Sequence, residues 1–116
     1  MESGDRYSAA CAAALAGCGK GADAAALDGP ERARWRRQAL AWLRADLDHW
    51  TNELPKQTAE DRTHSVETLR GWLTDEDLAG LRDSAAVAQL PAEEQPACRT
   101  LWADLATLLR RALEKE

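Results

Sequence analysis

The chain has 116 residues, of which only 18 are Leu, Ile, Val or Phe, enough for one small domain (1–116) and too little for a multi-domain enzyme. Ile and Phe are absent, Val occurs only at Val66 and Val87, and 24 Ala and 5 Trp supply the apolar remainder, a composition that argues against β-sheet and for an all-α fold. The net charge of −5 disfavours phosphate backbones as partners, and it is uneven: residues 1–58 hold 8 basic and 8 acidic groups, residues 59–116 hold 7 and 12.

Residues 1–6 are polar and expected to fray. From Tyr7 the residues Tyr7, Ala10, Cys11, Ala14, Leu15 and Cys18 recur with the helical period, which predicts a first helix with a face of small residues. Gly17, Gly19 and Gly21 end it, and residues 19–30 read as a loop. Asp28 or Gly29 as cap, Pro30 in the first turn and Glu31 beside it announce a second helix, running to about Asn52 or Leu54 and broken by Pro55. Leu40, Leu43, Leu47, Trp50 and Leu54 form one apolar stripe on it, and Trp35, Ala39, Trp42 and His49 a second, so it is expected to touch neighbours on two sides.

A third helix over about Thr58 to Leu73 directs Val66, Leu69, Trp72 and Leu73 inward and Glu60, Asp61, Arg62, Glu67 and Arg70 outward. Thr74 with Asp77 resembles a capping box for a short turn holding Leu78 and Leu81, and Asp83 caps a second short turn closed by Pro91. Cys98, Leu101, Trp102, Leu105, Leu108, Leu109, Ala112 and Leu113 hold the helical period for four turns, with Pro96 in the first turn. Four main helices and one or two short ones follow. Leu40, Leu43, Leu47, Trp72, Trp102 and Leu105 are the expected core.

No motif supplies a reaction. Gly17-Cys18-Gly19-Lys20-Gly21 has the glycines and lysine of a phosphate loop, but Ala14 stands where the first glycine is needed and Gly21 where Ser or Thr would bind magnesium, so it reads as a helix C-cap. His49, His64, Cys11, Cys18 and Cys98 lack zinc-ligand spacing, and no metal or cofactor is expected. Cys11 and Cys18 stand about 10 Å apart on a helix, too far for a disulfide, so reduced thiols of a cytoplasmic protein are expected. No stretch approaches a membrane span of roughly 20 apolar residues. Arg32, Arg34, Arg36 and Arg37 around Trp35 form the one basic cluster. It reads either as a solvated helix face pairing with Glu31 and Asp46, or as a patch for an acidic peptide or single-stranded nucleic acid.

Tyr7-Ser8-Ala9-Ala10-Cys11-Ala12-Ala13-Ala14-Leu15-Ala16-Gly17 resembles the first helix of a tetratricopeptide repeat, and Gln38-Ala39-Leu40-Ala41-Trp42-Leu43 the start of its second. Together with Asp75-Glu76-Asp77-Leu78-Ala79-Gly80-Leu81-Arg82-Asp83 and Leu101-Trp102-Ala103-Asp104-Leu105, the chain resembles the C-terminal tail of planctomycete-type bacterial proteins in which a serine/threonine kinase domain precedes such repeats. The resemblance implies a tetratricopeptide-like antiparallel helical pair followed by capping helices, and a non-catalytic interaction module of a larger signalling protein. It also implies that the Tyr7 to Cys18 face lies exposed for a neighbouring repeat or for self-association. Tyr7, Arg34, Trp35 and Arg37 are then the candidate contacts to a protein or peptide partner. The alternative is a small stand-alone regulator that binds an acidic peptide or nucleic acid through Arg32 to Arg37.

Overall fold

A computed structural model describes residues 3–19 and 28–114, and every regular element among them is helical. The four long helices are α1 (Ser3–Gly17), α2 (Gly29–Glu53), α3 (Ala59–Trp72) and α6 (Gln95–Glu114); the short α4 (Ala79–Arg82) and α5 (Ser84–Val87) lie between the last two. No strand occurs among the described residues, and no helix there is long and apolar enough to cross a membrane. Local chemistry sets the boundaries. Asp28 accepts the amide of Glu31 at 2.8 Å with Pro30 in the first turn of α2, and Thr58 accepts the amide of Asp61 at 3.2 Å to start α3. Pro55 ends α2 and turns Leu54–Lys56 into a 3-10 turn, while Pro96 sits harmlessly in the first turn of α6. Asp75 caps the 3-10 turn Glu76–Leu78 through the amide of Asp77, the role assigned above to Thr74.

Two details at the N-terminal end differ from expectation. Residues 3–6 are helical, because Arg6 is held by a 2.9 Å ion pair to the buried carboxylate of Asp46. The expected loop over 19–30 falls mostly on residues 20–27, which lie outside the described set. Its start is a helix C-cap: the amide of Cys18 bonds the carbonyl of Ala14 at 3.0 Å, and Gly19 takes a φ of 75°, the left-handed conformation that glycine adopts without penalty.

Helices α1 and α2 run antiparallel, since Arg6 meets Asp46 while Gly17, eleven residues on, meets Arg36, ten residues back. Small side chains set their separation: Ala10, Ala13, Ala14 and Ala39 are all buried between them. At Gly17 the approach is closest, and a β-carbon there would stand 2.9 Å from the backbone nitrogen of Arg36 and 3.0 Å from the carbonyl oxygen of Arg32. Trp72, Leu78 and Leu81 then close over the other side of α1, and α6 lies along α2, α3 and α4 as a common strut. Leu43, Leu47, Leu69, Leu101 and Leu105 meet in the middle with 1% exposure or less. Leu40 and Trp102 complete this core from its margin, Trp102 donating its indole N–H to the carbonyl of Leu81 at 2.9 Å.

The exposed first-helix face expected above is therefore absent. Ala10, Cys11 and Ala14 are buried, and Tyr7 stacks on Trp72 with ring centroids 5.4 Å apart. The reason is the hydrophobic term: a stripe this narrow buries most of its surface once α2 and the 72–81 segment lie on it.

Candidate functional site

The four candidate contact residues do not form one site. Tyr7 is spent inside the molecule. Trp35 and Arg37 lie two positions apart on α2, about 200° around its axis, so they face different flanks. Arg37 lines the α2/α6 side, and Trp35, the more exposed of the described tryptophans at 39%, lies on the flank shared with Ala39 and Asp46. Arg34 is exposed near the outer crest of the helix. Neither Arg34 nor Arg37 meets a carboxylate among the described residues. Arg34 and Arg37 therefore do not make the expected pairing with Glu31 and Asp46 among the described residues; Asp46 faces inward and pairs with Arg6.

Arg36, counted above as one of the cluster, is instead a buried strut. Its Nε and Nη2 donate to the two carboxylate oxygens of Glu94 at 2.7 and 2.8 Å, and its Nη1 donates to the carbonyl of Gly17 at 2.7 Å. The bidentate pair raises the proton affinity of the guanidinium further, against the cost of burial. One side chain thus ties the end of α1, the first half of α2 and the approach to α6.

Beside this strut runs a trough. Helices α2 and α6 are parallel, with Leu40 opposite Ala97 and Leu101, Arg44 bonded to Asp104 at 3.0 Å, and Leu54 opposite Ala112. At the N-terminal ends of both helices the trough opens into a hollow of about 690 Å³ between Pro30, Arg37, Leu40, Leu90 and Pro91. A second of about 530 Å³ continues it along Leu40, Pro96 and Ala97 to the Arg44–Asp104 bridge. Its lining sets the apolar Leu40, Leu90, Pro91 and Pro96 beside the buried Arg36–Glu94 pair, its rim carries Arg37, unpaired among the described residues, and two helix N-termini contribute partial positive charge. Glu93 stands at one edge.

No protein-family model, curated protein or solved structure matches the chain.

On the far side of α1 lies the one close grouping of metal-type ligands among the described residues: Cys11, Asp75 and Asp77 bring one ligand atom each within 4.8 Å of one another. Hydrogen bonding accounts for it. The Tyr7 hydroxyl donates to Asp75 Oδ2 at 2.7 Å, the Cys11 thiol donates to the same oxygen at 3.7 Å, and the Asp77 amide donates to Oδ1 at 3.0 Å. Burial works against ionising Asp75, but these donors outweigh it and hold the carboxyl below its usual range. Burial and the neighbouring Asp75 charge push the Cys11 thiol up to about 11, which keeps it a protonated donor to Asp75 at neutral pH. Burial and the hydrogen bond to Asp75 also raise the Tyr7 phenol. His49 and His64 are exposed on α2 and α3, apart from this cluster.

These shifts set an alkaline limit on stability. Burial and the Glu94 charge raise the Cys98 thiol to about 11, like that of Cys11. A group with a raised folded value leaves stability intact below its unfolded value, here 9.0, and removes it as the pH climbs towards 11. Urea unfolding is expected to show a loss on the order of 3 kcal/mol between about pH 8.5 and pH 11. Replacing Cys98 by alanine is expected to remove about half of that slope, and replacing Cys11 as well most of the rest; a slope unchanged in the double variant would remove the thiols as its cause.

Arg36 with Glu94, and Asp75 with Tyr7, were not found from sequence. Partners 58 and 68 residues apart leave no periodic trace in the chain.

Proposed function

We propose that the chain is a non-catalytic interaction module that takes an acidic, apolar-sided segment of a partner protein in the trough between α2 and α6. The observation that carries this reading is the continuity of the trough: Leu40, Leu90, Pro91 and Pro96 line it in succession, with Arg37 on its rim, unpaired among the described residues. Two parallel helices with an unfilled groove accept a third helix or an extended strand of side chains, the groove supplying apolar contact and Arg37 choosing sign and register. Burial of the first-helix face favours this surface over self-association through α1. The resemblance to tetratricopeptide tails of kinase-type proteins gives such a module its context, a tetratricopeptide-like terminal unit of a larger bacterial signalling protein in the cytoplasm. The net charge of −5 weighs against an extended polyphosphate occupant.

The test is fluorescence anisotropy with a labelled helical peptide carrying leucines on one face and glutamates along one edge. Changing Arg37 to glutamate is expected to weaken its binding about tenfold, changing Arg34 on the outer crest to leave it unaltered, and raised salt to weaken wild-type binding. Equal binding by Arg37→Glu, or tighter binding of a single-stranded oligonucleotide than of the peptide, would overturn the reading.

A further inference from the structure

A second hollow lies where α2, α3 and α6 converge, and it does not rest on the peptide reading. Pro55 forces the chain out of α2 into the 3-10 turn Leu54–Lys56, and the last turns of α6 pass beneath that corner. The space left is about 240 Å³, walled by Leu54, Pro55, Leu108 and Ala112. Two cations line it, Arg62 from α3 and Arg111 from α6, and among the described residues no carboxylate does.

Arg62, expected above to point into solvent, is half-buried, because the corner at Pro55 folds over the first turn of α3. Its Nε is buried with no acceptor, and its Nη2 reaches only the carbonyl of Gln57 at 3.2 Å. The exposed Arg111 also meets no carboxylate among the described residues. A buried guanidinium N–H without an acceptor is costly, and the Nε/Nη2 edge is the fork that a carboxylate fills with two parallel hydrogen bonds. The volume falls below the roughly 300–1,000 Å³ of pockets for drug-sized ligands, so the occupant must be short.

We infer that this corner binds a small apolar carboxylate, its tail among Leu54, Pro55, Leu108 and Ala112 and its charged end between Arg62 and Arg111. Binding turns the Arg62 edge towards the hollow and exchanges one long bond to Gln57 for two to the carboxylate. A phosphate lacks the tail for these walls, and an amine meets two like charges.

The probe is sodium octanoate, titrated into the full chain by calorimetry and by amide-resolved NMR, with 1-octanol and octylammonium as controls of matched tail. Octanoate is expected to bind more tightly than either control and to shift the amides of Leu54, Arg62, Leu108 and Ala112. Arg62→Gln and Arg111→Glu are each expected to weaken octanoate about tenfold, the worth of a charge-assisted hydrogen bond, and to leave octanol unchanged. Arg111 is exposed, so its reversal keeps the test valid even where Arg62→Gln unfolds the corner. Octanol binding as tightly as octanoate would overturn the inference, and so would octanoate affinity unchanged in Arg111→Glu or shifts centred on Arg37.

Discussion

Replacing Glu94 by alanine is expected to lower the unfolding free energy by about 3–5 kcal/mol, the cost of stripping one partner from a buried ion pair. Glu94 and Arg36 are each 8% exposed, and the substitution leaves a guanidinium inside the protein with a single acceptor, the carbonyl of Gly17. The loss does not equal the worth of the pair. Both charges forfeited hydration on folding, and most of what the bidentate contact returns offsets that debt, so removing both should cost far less than removing one. The double variant Arg36→Met, Glu94→Leu is therefore expected to recover most of the stability lost by Glu94→Ala. Urea titrations of Arg36→Met, of Glu94→Leu and of the double variant close the cycle and give the coupling directly. Single losses below about 1 kcal/mol that simply add would mean that water reaches the pair and that it behaves as a surface bridge.

The same pair shows where sequence reading stops. The α6 stripe from Cys98 to Ala112 was legible because one element writes its apolar face at the helical period, only the exposed Leu113 falling outside it, and Pro30, Thr58 and Pro96 marked helix starts through local bonds or a fixed φ. The all-α class and the six helices followed from such local signals. Arg36 was not legible. Within Arg32, Arg34, Arg36 and Arg37 it looks like its neighbours, and only its position on the line of Leu40, Leu43 and Leu47 separates it from Arg34 and Arg37. That signal was present and was overridden by charge, since arginine is seldom buried unless a partner waits for it, and the partner lies 58 residues away.

The first-helix face was misassigned for a related reason. Periodicity states which residues of α1 are apolar, not what covers them. Tyr7, Ala10, Cys11 and Ala14 serve an open repeat and a closed bundle equally well. The closing elements are α2 and the segment from Trp72 to Leu81, whose contact with α1 runs through Asp75, a residue that reads locally as a helix cap. The candidate site shows the same division: Arg34 and Arg37 were found on charge alone, whereas the trough that gives Arg37 a context exists only once α6 lies parallel to α2. The corner hollow needs three helix ends at once.

Trp72→Ala is expected to be the other large loss, about 3–5 kcal/mol for the cavity, with a further 0.5–1.5 kcal/mol from the lost ring contact with Tyr7. Trp72 is 2% exposed, ends α3, and stacks on Tyr7 at an interplanar angle of 24°, while its carbonyl and that of Asp75 both accept from Arg82 Nη1, at 3.0 and 2.7 Å. The ring is thus the place where α3 and the α3–α4 turn fasten onto α1. Tyr7→Phe separates the two ways Tyr7 is held, keeping the stacked ring but removing the hydroxyl that donates to Asp75. It should cost only about 1–2 kcal/mol, since Asp75 retains the Asp77 amide and the Cys11 thiol as donors. Guanidinium unfolding followed by far-ultraviolet circular dichroism ranks the two variants. A Trp72→Ala loss no larger than that of Tyr7→Phe would mean that α1 is fastened by its alanine contacts with α2 alone. The 72–81 segment would then be a loosely applied cover, and the α1 face would regain its claim as a docking surface.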